Sequence, residues 1–288
     1  MKSWHVAFFG LLILALLVAD VHFSGNDAEF SRYNYNWNGT SHFYDDAGLG
    51  SEIITDYSAL YGRKNSTLLM IEPDGKFASS EITALMRFLR DGNKIFISDE
   101  PGNSNTLLGI LGTGLSVNPA NLSSADSEYN NNRFIICYPD KPDRITDGIE
   151  SAALNTPSVA EGGVSLMRSS FLSWIDTNGN KRADASEPLG KRSVLVKAEA
   201  GEVYLLSDSS IFINRMYANK RLRDNERLIQ NIMGLSDNLL VEYRHSAAAS
   251  ADGLSGILSG LKNTDIIKIS VIIIVTLLTI SALLRRKP

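Results

Sequence analysis

The sequence predicts an α/β fold in three layers, with a largely parallel, flavodoxin-like sheet between helices and an added β-hairpin. Short apolar runs, suited to strands that are buried on both faces, alternate with amphipathic helical segments. A polar loop follows these runs, as expected at the carboxyl ends of parallel strands. The chain has 288 residues, of which 44% are hydrophobic, and this suffices for one good-sized core.

The clearest unit spans residues 67–112, where strand, helix, strand and helix follow one another. Residues 67–71 and 94–98 are the apolar runs that predict two strands. Gly92 can end the helix between them in a left-handed turn. The apolar side chains of that helix fall on one face, at i, i+3, i+4 and i+7: Ile82, Leu85, Met86 and Leu89.

Outside this unit the pattern is uneven. Residues 194–198 and 203–207 are β-rich runs around a turn and predict a hairpin. Residues 225–233 predict a helix that stops at Gly234. Between residues 115 and 168 we expect only short strands, separated by loops rich in Asn, Ser, Asp and Pro.

Apolar segments at both ends predict attachment to a membrane. Residues 6–19 follow Lys2 and fit either an uncleaved anchor helix or the core of a signal peptide. Residues 266–284 are long enough to cross a bilayer, and the basic residues 285–287 behind them predict a cytoplasmic C-terminus. The positive-inside rule then places the main domain outside the cytoplasm, at the cell membrane.

The chain is accordingly predicted to have five parts. They are an N-terminal membrane anchor or signal peptide, an extracytoplasmic α/β domain, a flexible Gly/Ser-rich tether, a C-terminal transmembrane helix and a basic tail, over residues 1–23, 24–245, 246–265, 266–284 and 285–288. A formal net charge of −4 argues against nucleic acid as a partner, which leaves the membrane and other proteins. Cys137 is the only cysteine, so no internal disulfide can form.

Two polar loops predict a ligand crevice. Residues 98–105 and 207–214 each link a strand to a helix, and ligands of open α/β sheets bind at this edge. The alternative is that their polar side chains cap helices and tie loops together, as Ser, Asp and Asn commonly do. The candidate ligand-binding residues are Asp99, Glu100, Asn103, Asn105, Asp208, Ser209 and Asn214.

No catalytic residue can be assigned from the sequence. A Ser or Cys nucleophile needs a base within hydrogen-bond reach, usually His, and the predicted domain holds just His42 and His245. Ser209 lies at a strand-to-helix turn but lacks the flanking glycines of a nucleophile elbow. The chemistry of hydrolysis or acyl transfer is therefore the less favoured alternative.

Residues 176–187 have the spacing of a calcium-binding loop. Lys181 stands at the sixth position, where such loops normally have Gly. Any calcium site should therefore be weak, with a Kd near ~1 mM and a structural role; the alternative is a solvated polar turn. The side-chain ligands at positions 1, 3, 5, 9 and 12 and the carbonyl at position 7 would come from Asp176, Asn178, Asn180, Asp184 and Glu187 and from Arg182.

Three segments also occur in an order typical of a known family. They are YNYNWNGTS, LLMIEPDGKFASSEITALMRFLRDGNKIFISDEPGNSNTLLGILG and LLSDSSIFINRMYANKRLRDNERLIQNIM. With them the chain resembles, over residues 33–233, the prokaryotic membrane-anchored family called domain of unknown function 4350. The resemblance implies a fold like that of class I glutamine amidotransferases without the catalytic cysteine. It also implies that the protein acts in an envelope complex associated with a MoxR-type ATPase.

The function that these observations favour is a noncatalytic, membrane-anchored binding or assembly module outside the cytoplasm. The alternative is an amidotransferase-like or hydrolase enzyme whose active site lies at the strand tips. Its candidate residues would be Asp99, Glu100, Asp208 and Ser209.

Overall fold

The structure is a computed structural model that describes residues 9–10, 12–13, 16, 26–48, 50–126, 131–249, 251–253, 269, 273 and 276–277. Strands β1 to β13 are Ser51–Ile54, Ser66–Ile71, Lys94–Ser98, Ser116–Asn118, Leu122–Ser124, Phe134–Pro139, Ala152–Asn155, Val159–Glu161, Val164–Ser169, Ser173–Ile175, Ser193–Lys197, Val203–Leu206 and Asn238–Glu242. Helices α1 to α5 are Ser41–Ala47, Ser79–Arg90, Asn105–Ile110, Asn214–Tyr217 and Asn225–Met233. Short 3-10 helices cover Tyr57–Leu60, Arg144–Thr146 and Ser209–Phe212.

Nine of these strands form one mixed sheet, in the order β1-β13-β2-β3-β12-β11-β9-β6-β7. The neighbours from β1 to β12 pair in parallel. The neighbours from β12 to β7 pair antiparallel, beginning with the β11–β12 hairpin. Two further antiparallel pairs, β4 with β8 and β5 with β10, stand apart from this sheet.

The prediction of a largely parallel sheet was therefore wrong. A parallel pair needs a long crossover connection, whereas antiparallel strands can be joined by short loops. The chain from β6 to β12 holds strands without an α-helix between them, so it builds an antiparallel half onto the parallel one. The unit of β2, α2 and β3 lies in the parallel half, where β2 and β3 are neighbours.

The prediction of membrane helices at both ends was also wrong. Among the described residues, no helix combines the length and the apolar character needed to cross a bilayer. The predicted location at the cell membrane depended on those helices, so it is not supported either. Most of residues 1–23 and 266–284 lie outside the described part of the chain.

The sheet separates two hydrophobic cores, because successive side chains of a strand point to opposite faces. In β2, Leu68 and Met70 join the core beneath α2, while Leu69 and Ile71 join the core on the other face. Helix α5 covers that second core. Strand β2 is buried along its whole length, which explains its continuous apolar run.

The chain after β13 runs back over the carboxyl end of β2. His245 O accepts a hydrogen bond from the Asp74 amide, and the Ala247 amide donates to Glu72 O at 3.0 Å. Asp252 accepts a hydrogen bond from the Ser31 hydroxyl, which ties this segment to the N-terminal part of the described chain. The tether predicted over residues 246–265 begins within this packed segment, and residues 254–265 lie outside the described part.

Candidate functional site

The carboxyl ends of β2, β3 and β12 meet at one edge of the sheet. These strands are parallel neighbours in the order β2, β3, β12, so the residues that follow them are brought together. Glu72 follows β2, Asp99 and Glu100 follow β3, and Asp208 lies two residues beyond β12. We call Glu72, Glu100 and Asp208 the strand-tip cluster.

Asp208 is the most deeply placed member of the cluster and has no solvent exposure. Its carboxylate accepts hydrogen bonds from the backbone amides of Asn155 and Ser210, both at 2.8 Å. Burial nevertheless raises the pKa of Asp208 to about 7, because an ionised carboxylate loses its hydration there. The two amide bonds oppose this rise.

Glu72 occupies a left-handed backbone conformation, with φ at 46°. Such a φ is uncommon for any residue other than Gly. The side chain is only 7% exposed, and its Oε2 atom makes no hydrogen bond within the described chain. Burial raises the pKa of Glu72 to about 7, and the neighbouring Ser209 hydroxyl moderates the rise.

Glu100 is the partly exposed member of the cluster. Burial, and then the negative charges of Asp208 and Glu72, raise its pKa to about 9. The backbone of Glu100 is held in place by the Ser158 hydroxyl, which donates to its carbonyl oxygen at 2.7 Å. At neutral pH the cluster therefore carries at least one proton.

Asp99 belongs to the loop rather than to the cluster. One of its oxygens accepts from the Gly102 amide at 3.0 Å, and the other from the Ser104 amide at 2.7 Å and from the Ser104 hydroxyl. These bonds fold the chain between β3 and α3. Asp99 thus acts as a structural carboxylate, as the alternative interpretation of these loops expects.

The three predicted asparagines do not join the cluster. Asn105 bonds to the backbone of Val117 through both ends of its amide, at 2.7 and 2.9 Å. Asn214 donates to Asn34 O and Asn36 O, and accepts from the His42 amide. Both therefore tie distant segments together, and Asn103 is exposed in the loop before α3.

Ser209 has no solvent exposure, and its hydroxyl makes no hydrogen bond of normal geometry within the described chain. The two described histidines are engaged elsewhere: His42 lies against Tyr35, and His245 stacks on Phe77 and contacts Glu81 at 3.0 Å. Cys137 is fully buried in the core, where burial raises the pKa of its thiol. The arrangement supplies carboxyl groups rather than a nucleophile with its base.

Glu72 is the residue that sequence reasoning missed. It directly follows the apolar run of β2, in the same position as Asp99 after β3. That placement was readable from the sequence, because residues after parallel strands share one edge. The Asn155 amide, which fixes Asp208, comes from the antiparallel half and had no such signal.

The loop of residues 176–187 folds on itself around its carboxylates. Asp176 Oδ2 accepts a hydrogen bond from the Lys181 amide at 3.0 Å, so the first and sixth positions are joined. Lys181 has a φ of 62°, the left-handed conformation for which calcium loops use Gly. The Thr177 amide and hydroxyl both donate to Glu187 Oε1 at 2.7 Å, which closes the loop.

Two oxygens of this loop are left without a partner. Asp176 Oδ1 and Glu187 Oε2 are buried and make no hydrogen bond within the described chain, with side chains 8% and 3% exposed. Asn178 and Asn180 both donate to Asp184 Oδ2, at 2.7 and 2.9 Å. Within the described ranges, however, no group of three or more His, Cys, Asp or Glu side chains is arranged to hold a metal ion.

Comparisons with known proteins give a family and several solved structures, two of which are described below. The model of a family described as Domain of unknown function (DUF4350) matches residues 32–233. A solved structure titled "mmIFT52 N-terminal domain" is 15% identical, covers 68% of this chain and 90% of that chain, and has a TM-score of 0.52. "Alpha-L-fucosidase isoenzyme 2 from Paenibacillus thiaminolyticus" is 16% identical and covers 58% of this chain and 24% of that chain, with a TM-score of 0.34.

A search of curated proteins gives no match. At 15% identity, the likeness to the first structure concerns the fold alone. The lower TM-score of the second structure carries no argument. The amidotransferase-like detail of the expected fold is not confirmed by these matches.

Proposed function

This chain belongs to the family described as Domain of unknown function (DUF4350), and we propose that it is a noncatalytic binding or assembly module. The surface that binds is the strand-tip edge around Glu100. One observation carries the proposal: three of the four candidate groups for catalysis, Asp99, Asp208 and Ser209, are committed to the fold or buried, and Glu100 alone is partly exposed. Asp99 and Asp208 accept backbone amides, and Ser209 is fully buried beside a carboxyl rather than an imidazole.

An acyl-transfer enzyme would need different surroundings for Ser209. Its hydroxyl would require a base that can take its proton and donors that stabilise an oxyanion. The neighbour of Ser209 is Glu72, whose pKa is raised to about 7. This arrangement lacks a third group that orients the base, so binding is favoured over reaction.

Site-specific photo-crosslinking in the cells that make the protein tests the proposal. A photo-reactive amino acid at Asn103, which is exposed beside the strand tips, is expected to form a discrete adduct with a partner protein. The family resemblance suggests a MoxR-type ATPase as one partner to identify in that adduct. The matched control is the same amino acid at Lys64, which is exposed before β2 at the opposite edge of the sheet.

An adduct from Asn103 and none from Lys64 would support binding at the strand tips. Equal adducts at both positions, or none from Asn103, would contradict it. A substrate consumed by the purified protein, with the activity lost on Ser209→Ala, would favour the enzyme instead.

We propose as a second function that residues 176–187 bind calcium weakly. The support is the pair of buried, unpartnered oxygens of Asp176 and Glu187, together with the left-handed backbone at Lys181. Carboxylate and amide oxygens at this spacing are the ligands that calcium takes in such loops. The ion would replace the hydrogen bonds that Asn178 and Asn180 now make to Asp184.

Calcium should therefore stabilise the folded chain. With a Kd of about 1 mM, 10 mM calcium is expected to add about 1.4 kcal/mol and to raise the melting temperature by roughly 3 °C. Asp176→Asn should remove the rise, whereas Asp147→Asn, at an exposed carboxylate, should keep it. An equal melting temperature in calcium and in magnesium would exclude a specific site.

A further inference from the structure

The strand-tip cluster gathers acidic groups, and within the described part of the chain no cation is among the charges that shift their pKa values. The charges that raise the pKa of Glu100 are those of Asp208, Glu72 and Glu29, and those acting on Glu72 are Asp99 and Asp208. Carboxylates that are buried together cannot all ionise unless a positive charge or hydrogen-bond donors compensate. We therefore expect the cluster to attract a cation.

Two buried polar atoms beside the cluster also lack partners. Glu72 Oε2 and Ser209 Oγ make no hydrogen bond of normal geometry within the described chain, although their side chains are 7% and 0% exposed and the Ser209 hydroxyl lies near enough to Glu72 to lower its pKa. Buried polar groups are normally satisfied, and leaving one unpaired destabilises the fold. A hydroxyl and a carboxylate side by side both offer acceptor lone pairs to a donor.

The backbone at Glu72 supports a specific role for this side chain. A left-handed conformation at a residue other than Gly is unfavourable and persists where the surroundings enforce it. Here the Glu72 amide donates to Ser98 O at 2.8 Å, and its carbonyl oxygen accepts from Ala247. These bonds hold the backbone, so the carboxyl group is directed into the cluster.

We propose that the strand-tip cluster binds the primary ammonium group of a ligand, held by Glu72, Glu100 and the Ser209 hydroxyl. An ammonium group carries one positive charge and three N–H donors, which match the carboxylates and the free lone pairs. A metal ion such as calcium fits less well, because it takes six to eight oxygen ligands and the unpartnered oxygens of the described chain at the strand tips are those of Glu72 and Ser209. This inference rests on the proposed binding function and names its ligand chemistry.

Entry is from the side of Glu100, the partly exposed member of the cluster. Because the pKa values of Glu72 and Asp208 are raised to about 7, and that of Glu100 to about 9, binding must compete with protons. Affinity for the ammonium group should therefore increase as the pH rises from 5 to 8.

Melting of the full chain in 100 mM methylammonium chloride tests the inference, with tetramethylammonium chloride at the same concentration as the reference. Both are cations, but only methylammonium has N–H donors. At pH 8 methylammonium should raise the melting temperature by about 3 °C over the reference, for a Kd on the order of 10 mM. At pH 5 the difference should vanish in the unmodified chain, which needs no variant to be interpretable.

Variants sharpen the same measurement. Glu72→Gln and Ser209→Ala should lose the response at pH 8, while Glu199→Gln, at an exposed carboxylate in the β11–β12 turn, should keep it. Equal melting temperatures in both salts at pH 8, or a response that persists at pH 5, would overturn the proposal. If the Asn103 adduct still forms in that case, the strand tips bind a partner through other chemistry.

Two short peptides identify the source of the ammonium group by calorimetry. One has an acetylated N-terminus and a single lysine, and the other has a free N-terminus and no lysine. If the first peptide gives a heat of binding, the ammonium group belongs to a lysine side chain. If the second peptide does, it belongs to a polypeptide N-terminus. Binding to neither peptide at pH 8 would count against the proposal.

Discussion

The strand-tip cluster and the loop of residues 176–187 each bring three carboxyl groups together, with opposite results. Burial raises the pKa of Glu72, Glu100 and Asp208, and neighbouring negative charges add to the rise at Glu72 and Glu100. In the loop, the Thr177 hydroxyl and backbone amides lower the pKa of Glu187. The number of carboxyl groups does not set their protonation; the donors and the solvent around them do.

The two regions also differ in how the chain assembles them. The cluster comes from three strand ends that are separated by 28 to 136 residues in the sequence, from 72 to 100 and from 72 to 208. The loop comes from twelve consecutive residues, 176 to 187. A local loop can supply its own backbone donors, whereas a convergent edge receives carboxyl groups from each strand without matching cations.

Raising the pH should lower the free energy of unfolding, because the carboxyl groups of the strand-tip cluster ionise while buried. This is the largest effect that we expect. Within the cluster, the folded-state pKa values of Glu72 and Asp208 are raised to about 7, from ordinary values of 4.5 and 3.8. Their stabilising contribution is complete below the ordinary values and is lost as the pH rises through about 7. Urea unfolding at pH 5, 7 and 8 should show a fall on the order of 3 kcal/mol for Glu72 alone.

Glu72→Gln isolates that contribution. The amide cannot ionise, so the variant should be more stable than the unmodified chain at pH 8 and lose less stability between pH 5 and 8. Glu199→Gln, at an exposed carboxylate, should follow the unmodified chain. A free energy of unfolding that rises between pH 5 and 8 in the unmodified chain would show that ionisation of the cluster does not destabilise the folded state.

The sequence predicted the parallel half of the sheet better than the antiparallel half. Helical periodicity placed α2, and continuous apolar runs placed β2 and β3, within one or two residues of their observed bounds. Strands of three residues such as β4, β5 and β8 carry too few side chains for a periodic signal. Their pairing is fixed by distant partners, as in the contact of Val117 with Ala160.

The candidate site was predictable to a similar extent. Asp99, Glu100, Asp208 and Ser209 lie at one edge because parallel strands end together, and the sequence shows where strands end. Whether a carboxylate is free or committed depends on donors from elsewhere in the fold. The sequence therefore could not separate Asp99, which is used by Ser104, from Glu72, which has an unpartnered oxygen.

The smallest effect that we expect is on the stability of variants at Lys181. This residue brings a positive charge into the loop of residues 176–187, whereas the strand-tip cluster consists of acidic residues. Its left-handed backbone suits Gly, and its positive charge opposes a calcium ion. Lys181→Ala removes the charge only, and Lys181→Gly removes the charge and the backbone strain. Glycine also loses more chain entropy on folding, so its net gain over alanine should be only about 0.5 kcal/mol without calcium.

Calcium titrations by melting, run on both variants, separate the two contributions. Removing the charge should strengthen calcium binding several-fold in both, because the loop that carries the ligand oxygens then holds one positive charge fewer. Only Lys181→Gly should also be more stable than Lys181→Ala before calcium is added. If the two variants melt together in the absence of calcium, the strain that glycine relieves at position 181 is no larger than its extra loss of chain entropy.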